Sequence, residues 1–168
     1  MQLKHLEHNL VDEESWDHNL TNFPLSNFLH SYKWMKYISE FDNVVSHNSF
    51  FLTDLEGKVV AFCPLIVYRL SYESNDFLSI GSNSQYTLGF PLVQSKTSSM
   101  RKKLFKYIID YYHSFARNHD IKTMETISHP LSKSFCDRES TSMDRFFEPL
   151  KYKNLDRIVN TSILDLQY

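Results

Sequence analysis

The sequence predicts an α/β domain with a mixed central sheet and helices on both faces, and three observations carry that expectation. Residues 31–41 and 99–118 repeat apolar side chains at the 3.6-residue period of a half-buried helix. Phe, Val, Ile and Tyr crowd residues 49–54 and 58–70 around the polar link Leu55-Glu56-Gly57, the pattern of a β-hairpin. The helix at 99–118 lies between two strand-like runs, and a strand–helix–strand unit sets its strands parallel in one sheet.

In chain order, Asp12 or Ser15 is placed to cap a first helix that carries Trp16 and Leu20 on one side and stops before Pro24. In the helix at 31–41, Trp34, Tyr37, Ile38 and Phe41 stand at i, i+3, i+4 and i+7, which predicts them as the buried stripe. Lys33, Lys36 and Glu40 mark its wet face. Pro64 falls within the second hairpin strand, where its missing N–H requires an edge or a bulge. A third strand is expected at 76–81, then a long polar loop at 82–99. Thr97 or Ser98 is placed to cap the long helix, whose stripe is Leu104, Ile108, Tyr111, Tyr112 and Phe115. A strand at 121–127, a break at His129-Pro130, a short helical region at 141–147 and a last strand at 158–166 complete the order. Nothing repeats and no linker intervenes, so one domain is expected over residues 1–168.

Composition narrows the function. The net charge of −2 gives no polycationic face, so DNA is not an expected partner. Cys63 and Cys136 match neither C-x-x-C nor a zinc-ligand spacing, which points to a reducing, cytoplasmic setting. The first ten residues lack the apolar core of a signal peptide. The apolar run at 59–68 is far shorter than the ~20 residues of a membrane span, so no transmembrane segment is expected and any membrane contact is peripheral. With three glycines in the chain, few positions let backbone approach a phosphate closely.

Several motifs follow one another in register: Trp16-Asp17, then Pro24, Ser26, Phe28 and His30-Ser31-x-x-Trp34; Gly57 to Ala61 leading to Pro64-Leu65; Tyr86-x-x-Gly89-x-Pro91-Leu92; His129-Pro130; and Thr161 to Leu166. In this joint order they resemble the first repeat of the Fem-type peptidoglycan aminoacyl- and acyltransferases, whose repeats have the fold of the GCN5-related acyltransferases (GNAT). The resemblance covers about residues 16–166. It implies a GNAT-like domain, the N-terminal repeat of a larger two-repeat protein, acting with a second GNAT-like repeat or a partner chain. It further implies aminoacyl-tRNA or acyl-CoA as donor in the full protein, and a small-molecule or lipid-linked peptide or sugar as acceptor. The corresponding activity is aminoacyl or acyl transfer to an amine of a cell-envelope precursor, with this chain as an acceptor-side half and nearly inactive alone. The alternative is a non-catalytic GNAT-like binding module.

Carried over by position, the resemblance points to Lys33, Trp34 and Tyr86 as substrate-binding residues. Lys33 would neutralise a diphosphate and Tyr86 would offer a hydroxyl to a sugar or peptide. Both helical residues also fit a structural role, Trp34 in the core and Lys33 on a solvated face. The family's acidic residue after the Gly-Pro turn is replaced by Leu92-Val93-Gln94. The segment 81–91 lacks the glycine spacing by which GNAT enzymes hold the CoA pyrophosphate, and Pro91 removes a donor. No cofactor is therefore expected on this domain alone. No metal site is expected either: His5-x-x-His8 has no carboxylates grouped around it, and His113 and His119 suit the C-terminal end of a helix. Cys63 reads as a small buried hydrophobe, and Arg101, Lys102, Lys103 and Lys106 as a wet helix face or a phosphate contact. No residue is assigned a catalytic role.

Overall fold

The computed structural model describes residues 2–7, 10–24, 26–72, 75–80, 91–95 and 97–124. All of them fall in the compact unit Met1–Ile127. The order is β1 (Lys4–Glu7), α1 (Glu13–Leu20), a 3₁₀ turn (Phe28–His30), α2 (Tyr32–Ser39), β2 (Val44–His47), β3 (Phe50–Thr53), β4 (Val59–Cys63), β5 (Ile66–Tyr72), β6 (Asn75–Ile80), β7 (Leu92–Val93), α3 (Ser98–Asn118) and β8 (Ile121–Met124). The expected short helix at 141–147 and strand at 158–166 lie outside the described residues.

The strands pair as β1-β3-β4-β7 and β2-β5-β6-β8. Only Asn48 and Ser49 separate β2 from β3, and only Pro64 and Leu65 separate β4 from β5, so a single bent hairpin runs through both ladders. The expected strand at 58–70 is thus two strands. Pro64 has no N–H to give a ladder, and the break satisfies its neighbours in other ways. The Leu65 N–H donates to Ser49 Oγ at 2.9 Å, the Asn48 N–H to the Leu65 carbonyl at 2.7 Å, and the Tyr112 hydroxyl of α3 to the Pro64 carbonyl at 2.8 Å. Ser49 is fully buried. Ser49→Ala leaves the Leu65 N–H buried and unpaired, and we expect it to lower the unfolding free energy by about 1–3 kcal/mol in denaturant titration. At the tight end of the hairpin, Asp54 Oδ1 accepts the Glu56 and Lys58 N–H groups, and Gly57 takes the positive φ of 83° that this turn requires.

Every described pairing is antiparallel except β6 with β8, which flank α3. The parallel pair is the one expected from the strand–helix–strand unit, but where one mixed sheet was expected there are two four-stranded sheets among the described residues, and only β2-β5-β6-β8 is mixed. Helices cover both faces, and two adjacent residues of β3 show it, because successive side chains leave a strand on opposite sides. Phe51 packs edge-on against Trp16 of α1 at 4.9 Å between ring centroids, whereas Phe50 packs against Tyr111 of α3 at 5.0 Å. Trp16, Leu20, Met35, Ile38, Phe51, Phe62, Ile66 and Tyr68 belong to one core between α1, α2 and the sheet. On the other side, Leu104, Phe105, Ile108, Ile109 and Tyr112 are the buried residues of α3, capped by Thr97, whose hydroxyl accepts the Met100 N–H.

The buried stripe of α2 differs from expectation. Met35 and Ile38 are fully buried, Trp34 and Phe41 are half-buried, and Tyr37 is exposed. Three strands also escaped the sequence reading. β1, β2 and β7 have four, four and two residues, too few for a period to register.

Candidate functional site

The segment that enters α2 is a connected set of caps. Asn27 Oδ1 accepts the Leu29 N–H at 3.0 Å, and His30 Nδ1 accepts the Asn27 N–H at 3.2 Å, which requires that nitrogen to carry no proton. Ser31 Oγ accepts the Trp34 N–H and donates to the Phe28 carbonyl. From α1, Trp16 Nε1 donates to the His30 carbonyl at 3.0 Å and Asp17 Oδ1 accepts the Tyr32 N–H at 3.0 Å. The residues of the Trp-Asp and His-Ser-x-x-Trp motifs therefore clamp α1 to the start of α2. Those bonds fix which face of α2 turns away from the core.

That outward face carries aromatic rings. Phe28 meets Trp34 at 5.3 Å, Trp34 meets Tyr37 at 5.6 Å, and Tyr37 meets Phe41 at 5.1 Å. Phe28 is 65% exposed and Tyr37 is 55% exposed, an unusual solvent cost for rings that the core does not use. Trp34 Nε1 is buried yet finds no hydrogen-bond partner among the described residues. Beside it Lys33, its side chain 82% exposed, holds Nζ 3.5 Å from Glu13 Oε1, a contact that water screens and a stronger anion can displace. Lys36 is exposed one turn on from Lys33. Lys33 and Trp34 are neighbours on α2, with Lys33 reaching toward Glu13 of α1, and Tyr86 lies outside the described residues. Trp34 and Phe41, partly buried, also pack against the core as the sequence stripe predicts, whereas Tyr37 of that stripe is exposed; sequence reading did not select Phe28. The available signal was Phe28, Trp34 and Tyr37 near one another in sequence with Met35 free to supply the buried contact.

The other sequence candidates are placed as follows. Cys63 is fully buried, and burial pushes its thiol well above the ordinary range, which leaves it protonated and unreactive. His5 contacts aromatic rings of β3 and α3, and no group of three metal-ligating residues occurs among the described residues. His119 caps α3 and stacks on Phe115 at 4.1 Å. Lys102, Lys103 and Lys106 are exposed, and Lys106 pairs with Asp110 at 2.7 Å. The segment compared with a pyrophosphate loop needs a correction in its placement. β7 intervenes between residues 81–90 and α3, so the glycine-free residues 94–97 lead into that helix; residues 81–90 lie outside those described.

With this geometry in view, comparison with solved structures sets the fold. An acetyltransferase of Trypanosoma brucei matches with a TM-score of 0.55 at 10% identity, over 96% of this chain and 100% of that one. The aminoglycoside 6′-N-acetyltransferase AAC(6′)-Ih of Acinetobacter baumannii matches with a TM-score of 0.53 at 8% identity, over 98% of this chain and 99% of that one. An aminoglycoside acetyltransferase from an uncultured soil metagenomic sample matches with a TM-score of 0.52 at 12% identity, over 99% and 100% of the two chains. The chain has the GNAT acyltransferase fold. No protein-family profile matches the sequence. No curated protein matches it. No described helix is long and apolar enough to cross a membrane.

Proposed function

We propose that this chain is the acceptor-side domain of a Fem-like N-acyltransferase, which passes an aminoacyl or acyl group to an amine of a cytoplasmic peptidoglycan or other cell-envelope precursor. The acyltransferase fold supports the reaction class. The observation that carries the acceptor role is the outward face of α2, where the exposed rings of Phe28 and Tyr37 lie against Trp34, whose buried indole N–H has no partner among the described residues, and Lys33 is exposed on the same helix. Rings accept the apolar face of a sugar, an indole N–H donates to a hydroxyl or carbonyl, and lysine offers a point charge to a diphosphate. The family resemblance adds Tyr86, outside the described residues, as a hydroxyl for the ligand. The donor, aminoacyl-tRNA or acyl-CoA, is held by a second repeat or a partner chain.

The reaction asks little covalent chemistry of the acceptor side. The amine nitrogen attacks the ester or thioester carbonyl, the C–N bond forms as the C–O or C–S bond breaks, and the amine proton leaves with a base. Holding the amine still against that carbonyl supplies much of the rate, and this is the work assigned to Lys33, Trp34 and Tyr86. Thermal unfolding tests the assignment. A UDP-linked sugar peptide at a hundredfold excess over its Kd should add about 2.7 kcal/mol, on the order of 5–10 °C in Tm at this length. Trp34→Ala should abolish that rise, and an unchanged rise in the variant contradicts the site.

A second reading has an observation of its own. The solved structures matched here are acetyltransferases, which favours an acetyl-CoA-dependent N-acetyltransferase. Under that reading acetyl-CoA raises the Tm of this chain with no partner present.

A further inference from the structure

Helix α3 carries five basic residues, Arg101, Lys102, Lys103, Lys106 and Arg117, against one acid, Asp110. Its net charge is therefore +4 in a chain whose net charge is −2, which leaves −6 for the remainder. The near-balanced total conceals this division. Lys102, Lys103, Lys106 and Arg117 are exposed, and so are Met100 and Tyr107, at 39% and 38%. Met100, Lys103 and Tyr107 follow one another at i, i+3 and i+7 and so share a stripe, with Lys102 and Lys106 beside it one turn apart. The residues that α3 buries lie on its other side.

A face that needed only to be wet gains nothing from this arrangement. Lys102 and Lys106 are like charges at i, i+4, which costs the helix stability, and the first turn holds no acid to suit the positive end of the dipole. Lys106 has Asp110 at 2.7 Å, but Lys102 and Lys103 hold no ion pair among the described residues. A negatively charged surface relieves each of these costs. We propose that this face of α3 docks on an anionic lipid bilayer, with the lysines against lipid phosphates and Met100 and Tyr107 in the headgroup layer. Lysine stems lie along apolar surface while the ammonium reaches phosphate, and each Lys or Arg at such a surface strengthens binding about fivefold. The apolar members of the face favour lipid over RNA. Met100 offers nothing to a phosphate or a base, and Tyr107, tied at its hydroxyl to His5 Nε2 at 3.1 Å, is one ring where single-stranded RNA stacks on several. Asp110 and, beside Tyr111, Glu7 are the acids at this side, and they weaken the attraction without reversing it. The negative remainder is screened over about 8 Å at physiological salt, so it turns α3 toward the bilayer rather than holding the chain off. Because α1 and α3 pack on opposite sides of β3, docking leaves the face of α2 open and stands independently of the acceptor reading.

Co-sedimentation of the whole chain with vesicles tests the surface. Phosphatidylcholine vesicles with about one-third phosphatidylglycerol should carry the chain down at about 0.1 M salt and release it near about 0.5 M, and phosphatidylcholine alone should not bind it. Lys102→Gln, Lys103→Gln and Lys106→Gln together should weaken binding on the order of a hundredfold, with the thermal melt unchanged because all three side chains are exposed. Met100→Gln should weaken it about fivefold. Lys58→Gln, on the turn between β3 and β4, should leave it as it is. The proposal is overturned if the anionic vesicles do not bind, if both vesicle types bind alike, or if the triple lysine variant or Met100→Gln binds like the native chain. It is also overturned if a mixed-sequence single-stranded RNA binds and displaces the anionic vesicles, which would make the face one for nucleic acid.

Discussion

Replacing Trp16 by alanine should cost about 3–5 kcal/mol of unfolding free energy, the largest loss expected of any single truncation in the described core. Trp16 is fully buried, and its ring meets Phe51 at 4.9 Å and Phe62 at 5.1 Å on the sheet and Tyr32 at 6.0 Å on α2. Its Nε1–H also satisfies the His30 carbonyl, so truncation removes a donor as well as volume. Guanidinium titration should show the midpoint falling with the slope unchanged. Trp16→Phe, which keeps most of the bulk but not the donor, should cost less, about 1–3 kcal/mol. A Trp16→Ala protein as stable as the native chain would mean that α1 does not pack on the sheet as described.

The second large effect separates the two faces of α2. Met35→Ala should cost about 2–5 kcal/mol, since Met35 is fully buried against the core. Tyr37→Ala, two residues on, should change stability by no more than about 1 kcal/mol, because its ring is 55% exposed and, among the described residues, meets the rings of Trp34 and Phe41. The sequence stripe of Trp34, Tyr37, Ile38 and Phe41 predicts the reverse ranking. Denaturant midpoints of the two variants decide between them.

The contrast shows which parts of this molecule a sequence can disclose. α3 was legible as a helix because twenty residues carry its period. Its buried face is turned from the expected stripe, since Phe105 and Ile109 join Leu104, Ile108 and Tyr112 while Tyr111 and Phe115 are half-buried. Asp12 and Thr97 act as caps where their side chains allow it. The parallel pairing of β6 with β8 followed from the strand–helix–strand order. α2 was legible as a helix but not in its rotation. Two turns carry both an aliphatic and an aromatic stripe, and the choice is made by bonds from elsewhere, Trp16 to the His30 carbonyl and Asp17 to the Tyr32 N–H. That rotation is what creates the candidate acceptor face. Lys33 and Trp34 could be named from a family resemblance, but Phe28 joins them only through a ring contact across the 3₁₀ turn. At Pro64 an edge or a bulge was expected within one strand, and the chain instead breaks into two. Its repair by Ser49 and Tyr112 depends on partners 16 and 48 residues away.

The measurement closest to the centre of the account is calorimetric titration of the native chain with a UDP-linked sugar peptide and, separately, with acetyl-CoA. The account predicts heat and saturation with the sugar peptide, their loss in Trp34→Ala, and no binding of acetyl-CoA. Saturable acetyl-CoA binding together with no response to the sugar peptide would contradict it and favour an acetyl-CoA-dependent acetyltransferase.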